Sequence, residues 1–187
     1  MIGYAFCGSF CTHAASMREL SLLLAAGEEV QPIMSDCAYT TDTRFHPAIP
    51  FREELVALCG REVIHTIAEA EPLGPARPLE LLVIAPCTGN TLAKMAHGIT
   101  DTAVTMAAKA HMRTGKPLLV ALATNDALSA NLENIARLSM RKGVYFLPLV
   151  QDDIEKKPYS LVCDFSRMGE ALAAARRGVQ LRPFFLF

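Results

Sequence analysis

Three apolar runs constrain this chain more than anything else in it: Ile2 to Cys7, Leu79 to Ala85 and Leu118 to Ala123. None alternates apolar with polar residues. A strand with one wet face has to alternate, so these runs read as strands buried on both faces, the situation of a parallel sheet covered by helices on each side. Two further runs, Glu29 to Met34 and Val144 to Leu147, fit the same role. Pro32 restricts the first of them to an edge or a bulge, because proline has no N–H to give to a ladder.

The segments between the runs read mostly as helices. Ser9 or Thr12 is placed to cap a helix running to about Ala26, with Leu20, Leu23 and Leu24 at helical spacing and Gly27 to end it. Other helices are expected from about Phe51 to Cys59 before Gly60, from Thr91 through His97 before Gly98, and from a cap at Thr100 or Asp101 to about Arg113. Two more are expected, from Asp126 to about Lys142 and from about Ser166 to Arg177. Val63 to Ile67 suits a short strand or a helical turn equally. Cys37 to Pro50 is polar and irregular, either a functional loop or a plain surface loop. Glu71-Pro72-Leu73-Gly74-Pro75 through Pro78 reads as a rigid turn region, and Gln151 to Pro158 as a polar loop. The alternation predicts an α/β fold: a doubly wound parallel sheet in a three-layer sandwich of flavodoxin/Rossmann-like type, with residues 1–187 as one domain.

Composition narrows the partners. The chain is 51% hydrophobic and 20% charged, as a globular protein is, and its net charge of -1 offers no general attraction for nucleic acid or an anionic membrane. No run of about 18 apolar residues predicts a membrane span, and no basic segment leading into a long apolar run predicts a signal peptide. The six cysteines include no pair at the spacing of a zinc knuckle, and Cys7, Cys11 and His13 lack a fourth ligand, so no metal site is expected. Reduced thiols in a cytoplasm are the simplest reading.

In an open parallel sheet a ligand sits beyond the carboxyl ends of the strands, where the strand order reverses. Here those ends are Gly8-Ser9-Phe10, Ser35-Asp36, Pro86 to Thr91, and Thr124-Asn125-Asp126. Small side chains let a ligand approach the backbone, and unpaired amides at helix starts favour an anion. A phosphate-bearing small molecule is therefore expected. The chain lacks both the G-x-G-x-x-G turn and the G-x-x-x-x-G-K-[ST] loop, so a standard dinucleotide or nucleoside-triphosphate site is not.

Ala85-Pro86-Cys87-Thr88-Gly89-Asn90-Thr91 resembles the A-P-[AL]-S-A-N-T signature of the flavin-dependent cysteine decarboxylase family. Pro86, Asn90 and Thr91 match it, Thr88 and Gly89 stand in for the serine and alanine, Gly8-Ser9 matches the family's phosphate-side turn, and Asp101 matches a later aspartate. The resemblance implies FMN as cofactor, with contacts from Gly8, Ser9, Ser35, Pro86, Cys87, Thr88, Gly89, Asn90 and Thr91. The family's substrate clamp, P-x-M-N-x-x-M-W, survives only at Asn125 in Leu122 to Ser129, which argues against decarboxylation of a peptidyl cysteine.

A second resemblance is to the B-subunit family of dipicolinate synthases. It rests on Thr43-Arg44-Phe45, on Ala70-Glu71-Pro72-Leu73-Gly74-Pro75 with Pro78-Leu79, and on Ile84 to Lys109. Thr124-Asn125-Asp126-Ala127-Leu128, Gln151-Asp152-Asp153 and Lys156-Lys157-Pro158 extend it, while the segment up to Phe187 matches poorly. It implies an oxidoreductase subunit that works with a dehydrogenase-like A subunit, the A subunit carrying the NAD(P) site. Together they would oxidise dihydrodipicolinate to dipicolinate in the mother-cell cytoplasm of sporulating bacteria. It also implies a homo-oligomer, trimer or larger, with flavin sites between subunits. A non-catalytic substrate-binding or stabilising subunit and a flavin-dependent decarboxylase are the alternatives.

Individual residues carry open readings. Arg44 suits a substrate carboxylate through its guanidinium fork, or is a solvated loop residue. Asn125 suits a carboxylate or a flavin edge, or caps a helix, and Asp126 reads as a first-turn acid. Cys87 is a reactive thiol or fills a small space. His13 and His46 move a proton or are structural. Met95, Met106 and Met112 pack a core or a subunit interface, and Lys156-Lys157 with Asp152-Asp153 is a docking surface for the A subunit or a solvated loop. No residue pattern identifies a catalytic acid or base.

Overall fold

The computed structural model describes residues 1–74 and 76–186. Pro75, part of the expected rigid turn region, and Phe187 lie outside them. Five parallel strands form the main sheet: β1 (Ile2–Phe6), β2 (Val30–Met34), β3 (Leu82–Cys87), β4 (Leu118–Thr124) and β5 (Val144–Phe146), in the order β2-β1-β3-β4-β5. Every residue of β1 and β3 is buried, as runs without polar alternation require. Pro32 lies in the edge strand β2, opposite Tyr4 of β1. The outer side of β2 meets a single-residue bridge from Ile64 to Ile33, and α4 (Ile67–Ala70) then starts with a Thr66–Glu69 capping box. Val63 to Ile67 is thus a one-residue strand contact followed by a helix start.

Helices cover both faces. α1 (His13–Ala25) packs against α3 (Ala48–Cys59) and α8 (Met168–Arg176). The other set is α4, α5 (Gly89–His97), α6 (Ala103–Met112) and α7 (Leu132–Ser139), where α6 touches α4 and α5, and α5 touches α7. Met95 is buried between these layers, and Met106 and Met112 pack half-buried against the same core. Among the described residues no helix is long and apolar enough to cross a membrane.

Several boundaries differ from expectation for local reasons. Cys37 to Pro50 is not one irregular loop. Ser35 accepts a hydrogen bond from the Ala38 amide and starts α2 (Asp36–Thr40), while Asp42 Oδ1 accepts from the Ala48 amide at the start of α3, 2.8 Å away. Pro50 then falls in the first turn of α3, where a missing N–H costs nothing. The cap of α6 is Thr102, in a reciprocal pair with Thr105, and Asp101 instead pairs with Lys94 at 2.9 Å. The helix expected from Asp126 begins only at Leu132, after a turn.

Two short strands lie outside the expected pattern. β6 (Leu149–Val150) and β7 (Leu161–Cys163) run antiparallel to each other, and β7 pairs antiparallel with the end of β4 through Ala123–Val162 and Thr124–Leu161. Two or three residues are too few to show a period. Their effect is to bring the loop 151–160 to the carboxyl rim of β4.

A buried polar link joins β1, α1 and β3. The Tyr4 hydroxyl donates to the Ser16 carbonyl at 3.1 Å and lies 3.0 Å from Ser16 Oγ, which donates to the Ala85 carbonyl at 2.6 Å. Ser16→Ala removes that donor from the core and is expected to cost about 1–3 kcal/mol of stability. Urea unfolding measures this. A loss below about 0.5 kcal/mol, the usual effect of a neutral surface change, would contradict it.

Candidate functional site

The carboxyl ends of β1, β3 and β4 open into a cleft of about 520 Å³, within the roughly 300–1,000 Å³ typical of small-molecule sites. Gly8, Ser9, Phe10, Cys11 and Thr12 line it from the β1 turn, Thr88 from the end of β3, and Ala123, Thr124 and Asn125 from the end of β4. Arg44 and Phe45 come from the loop before α3, and Asp152, Lys157, Ser160 and Val162 from the β6–β7 hairpin. A larger hollow, about 810 Å³, lies beside α7, the start of β5 and residues 178–185. It sits away from the carboxyl rim and contains none of the candidate site residues, which gather instead in the smaller cleft.

The structure gathers Gly8, Ser9, Arg44, Thr88 and Asn125 in this cleft. Thr88 caps α5: its Oγ1 accepts from the Thr91 amide at 3.2 Å and donates to Thr91 Oγ1 at 3.1 Å. Thr91 Oγ1 in turn donates to Cys7 Sγ at 3.4 Å, which ties the β3 rim to the β1 rim. A Cβ on Gly8 would come within 3.2 Å of Cys37 Sγ, so this turn lies tight against α2. Asn125 is no helix cap. The turn after β4 is closed by Asp126, which accepts from Thr124 Oγ1 at 2.6 Å and from Asn131 Nδ2 at 2.9 Å, leaving Asn125 exposed at the cleft. Asp126 is correspondingly a turn-former, not a first-turn acid.

Six other candidates lie outside the cleft lining. Ser35, Pro86, Cys87, Gly89 and Thr91 are buried. Ser35 is committed to capping α2. A Cβ on Gly89 would fall 2.5 Å from Asn131 Nδ2 and 2.6 Å from Thr124 Oγ1, so its smallness serves the seating of α5 on the β4 turn. Burial pushes the Cys87 thiol well above its ordinary range and the Cys7 thiol up to about 11, which makes both space-fillers rather than nucleophiles. Asn90 is exposed on the first turn of α5, outside the lining. Sequence reasoning does not place Asp152, Lys157 and Ser160 at the site: the two charges are plain in the sequence, but the short strands that aim them are not.

His13 and His46 form a directed pair. His13 Nε2 lies 2.7 Å from the Cys7 carbonyl, which can only accept, so Nε2 carries the proton and Nδ1 is the acceptor. His46 Nε2 lies 2.8 Å from that Nδ1, and His46 Nδ1 lies 3.2 Å from the Pro47 carbonyl. The His13 ring stacks on His46 and Phe51 at centroid distances of 4.9 and 5.0 Å. The pair fastens the loop carrying Arg44 and Phe45 to the β1 turn. Among the described residues no three His, Cys, Asp or Glu side chains gather as metal ligands.

The flavoprotein family model matches residues 9–176. The chain belongs to the flavoprotein family. Within it, the chain is 39% identical over 185 residues to the B subunit of dipicolinate synthase from Bacillus subtilis (strain 168), covering 99% of this chain and 92% of that protein. That alignment extends across the segment after Pro158. The crystal structure of the dipicolinate synthase B subunit from Bacillus halodurans C superposes with a TM-score of 0.91 at 38% identity, covering 100% of this chain and 95% of that one. Burkholderia xenovorans DmrB, solved in complex with FMN, shares the fold with a TM-score of 0.63 at 21% identity, covering 92% of each chain.

In this flavoprotein the rim depends on a neutral His13. Burial lowers its pKa from the ordinary 6.5 to about 4, the Cys7 carbonyl opposing and His46 adding to the effect. Between these values the unfolded chain binds the proton and the folded one does not, so stability is full above pH 6.5 and falls as the pH drops toward 4. The loss expected by pH 4 is on the order of 3 kcal/mol from this group. Unfolding free energies across that range should slope less in His13→Gln than in the native chain, and equal slopes would contradict the assignment.

Proposed function

We propose that the chain, acting as one flavoprotein-like domain, is an oxidoreductase subunit of a dipicolinate synthase that binds FMN at the rim cleft and holds dihydrodipicolinate beside it. A dehydrogenase-like A subunit with its own NAD(P) site would complete the enzyme. The reading includes a homo-oligomer, trimer or larger, in the mother-cell cytoplasm. Its main support is a single observation: Gly8, Ser9, Thr88, Arg44 and Asn125 share one cleft at the switch point, in a chain similar along its length to dipicolinate synthase B subunits.

The donor set fits a flavin phosphate at one end and a carboxylate at the other. Ser9 offers a hydroxyl, and the amides of the tight turn at Gly8 and of Gly89 and Asn90 at the start of α5 offer N–H groups without intrahelical partners, while the Thr88 hydroxyl proton is committed to Thr91 and Thr88 serves by fixing that helix start. Asn90 is exposed on the first turn of α5 outside the lining and would meet the cofactor only where it extends beyond the cleft. FMN, when bound, supplies a hydride acceptor, which no side chain can be. The residues then do the positioning. Arg44 is oriented by stacking over Phe45, 4.9 Å from the ring centroid, and presents a fork suited to a carboxylate. Asn125 offers its amide to the same ligand. Phe10 and Phe45 supply apolar wall against which a flat ring packs with less water.

A second reading, a non-catalytic binding subunit, is favoured by one feature: His13 is spent on structural bonds and Cys87 is inert, so neither of these candidates serves as proton carrier or nucleophile. Two measurements separate the readings. The purified chain is expected to take up FMN, and failure to do so sinks the cofactor. Added to the A subunit, it is expected to raise the rate of pyridine-ring formation, and no gain sinks the catalytic role. Arg44→Gln should lower that rate by about 10- to 100-fold, the loss of a charge-assisted contact, with FMN uptake unchanged.

A further inference from the structure

The ligand proposed above carries two carboxylates, and Arg44 can read only one. Among the described residues the cleft lining contains one other cation, Lys157, and one anion, Asp152, both from the β6–β7 hairpin. We infer that Lys157, held in place by Asp152, receives the second carboxylate and makes the cleft selective for ring dicarboxylates over ring monocarboxylates. This rests on the proposed substrate reading and deepens it.

The geometry is that of a built arm rather than a loose surface lysine. Lys157 Nζ donates to Asp152 Oδ2 at 2.8 Å. The loop beneath it is cross-braced: Lys157 N donates to the Asp153 carbonyl at 2.9 Å, Lys156 N to Asp153 Oδ1 at 2.9 Å, and Gln151 Nε2 to the Pro158 carbonyl at 2.7 Å. Ser160 N closes back on the Lys157 carbonyl at 3.0 Å. The arm is also fixed to the turn that carries Asn125, since Leu128 N donates to the Tyr159 carbonyl at 2.9 Å. Backbone motion that moved Lys157 would have to break these bonds.

An ammonium has three N–H donors, and Asp152 takes one. The remaining donors can meet an incoming carboxylate without displacing Asp152. Asp152 therefore orients Lys157 and does not compete for the same donor. A ring bearing one carboxylate gains from Arg44 alone and leaves the Lys157–Asp152 pair as it was. A ring bearing two gains a second charge-assisted contact, and discrimination follows from that difference.

The test is titration calorimetry on the full chain with pyridine-2,6-dicarboxylate and pyridine-2-carboxylate as probes. The native chain is expected to prefer the dicarboxylate by tenfold or more. Lys157→Gln should weaken the dicarboxylate about tenfold, leave the monocarboxylate nearly unchanged, and so collapse the ratio, while Lys157→Arg should keep most of it. Lys157 is exposed, so these variants should retain the native melting profile. A native-like ratio in Lys157→Gln, or an equal loss for both probes, overturns the inference while leaving an Arg44-dependent dicarboxylate site standing. Failure of the native chain to bind the dicarboxylate overturns both the inference and the substrate reading beneath it.

Discussion

β1 is hydrogen-bonded along both edges, to β2 and to β3, and buried on both faces. Nothing along its length can face water, so the chain's chemistry is displaced to the point where β1 ends. There the strand order reverses. The connection from β1 leads outward to β2, and the connection from β3 leads the other way to β4, so the helices leave a crevice between them. The cleft is a consequence of this topology before any of its side chains is considered.

The rim then divides its small and polar residues between two tasks. Thr91, Cys7, Gly89, Ser35 and Asp126 are buried or internally bonded and hold the strand ends and helix starts in register. Ser9, Thr88, Arg44 and Asn125 remain at the cleft with bonding capacity to offer. The two groups look alike in sequence because hydroxyls, amides and glycine serve turn geometry and ligand approach equally well. Only the partners each atom has already found separate them. The His13–His46 pair belongs to the first group, although it sits one residue from the second at both ends: Thr12 and Phe45 line the cleft.

What was legible in the residues follows the same logic. Fully apolar runs revealed the buried strands, Pro32 narrowed its strand to an edge or a bulge, and Gly60 and Gly98 ended helices in the left-handed conformation that glycine adopts without a Cβ penalty. Asn125 was legible as a candidate, but its alternative as a cap was settled only by the turn that Asp126 and Asn131 close. The hairpin of β6 and β7 was illegible because its strands are too short for a period to show and pair with a residue stretch far away in sequence. Asp152 and Lys157 were thus visible as charges and invisible as neighbours of Gly8.

The most direct measurement of whether the β1 and β3 rims form an anion-binding surface is amide hydrogen exchange of the chain with and without FMN. Slowing by about fivefold or more at Gly8, Phe10 and Asn90 is expected, because their N–H groups would pass from water to phosphate, whereas the amides of Ser9, Thr12 and Thr91 already donate within the chain. Protection confined to the hollow around Met140 to Tyr145 and Gly178 to Phe185, or no protection anywhere, would contradict it.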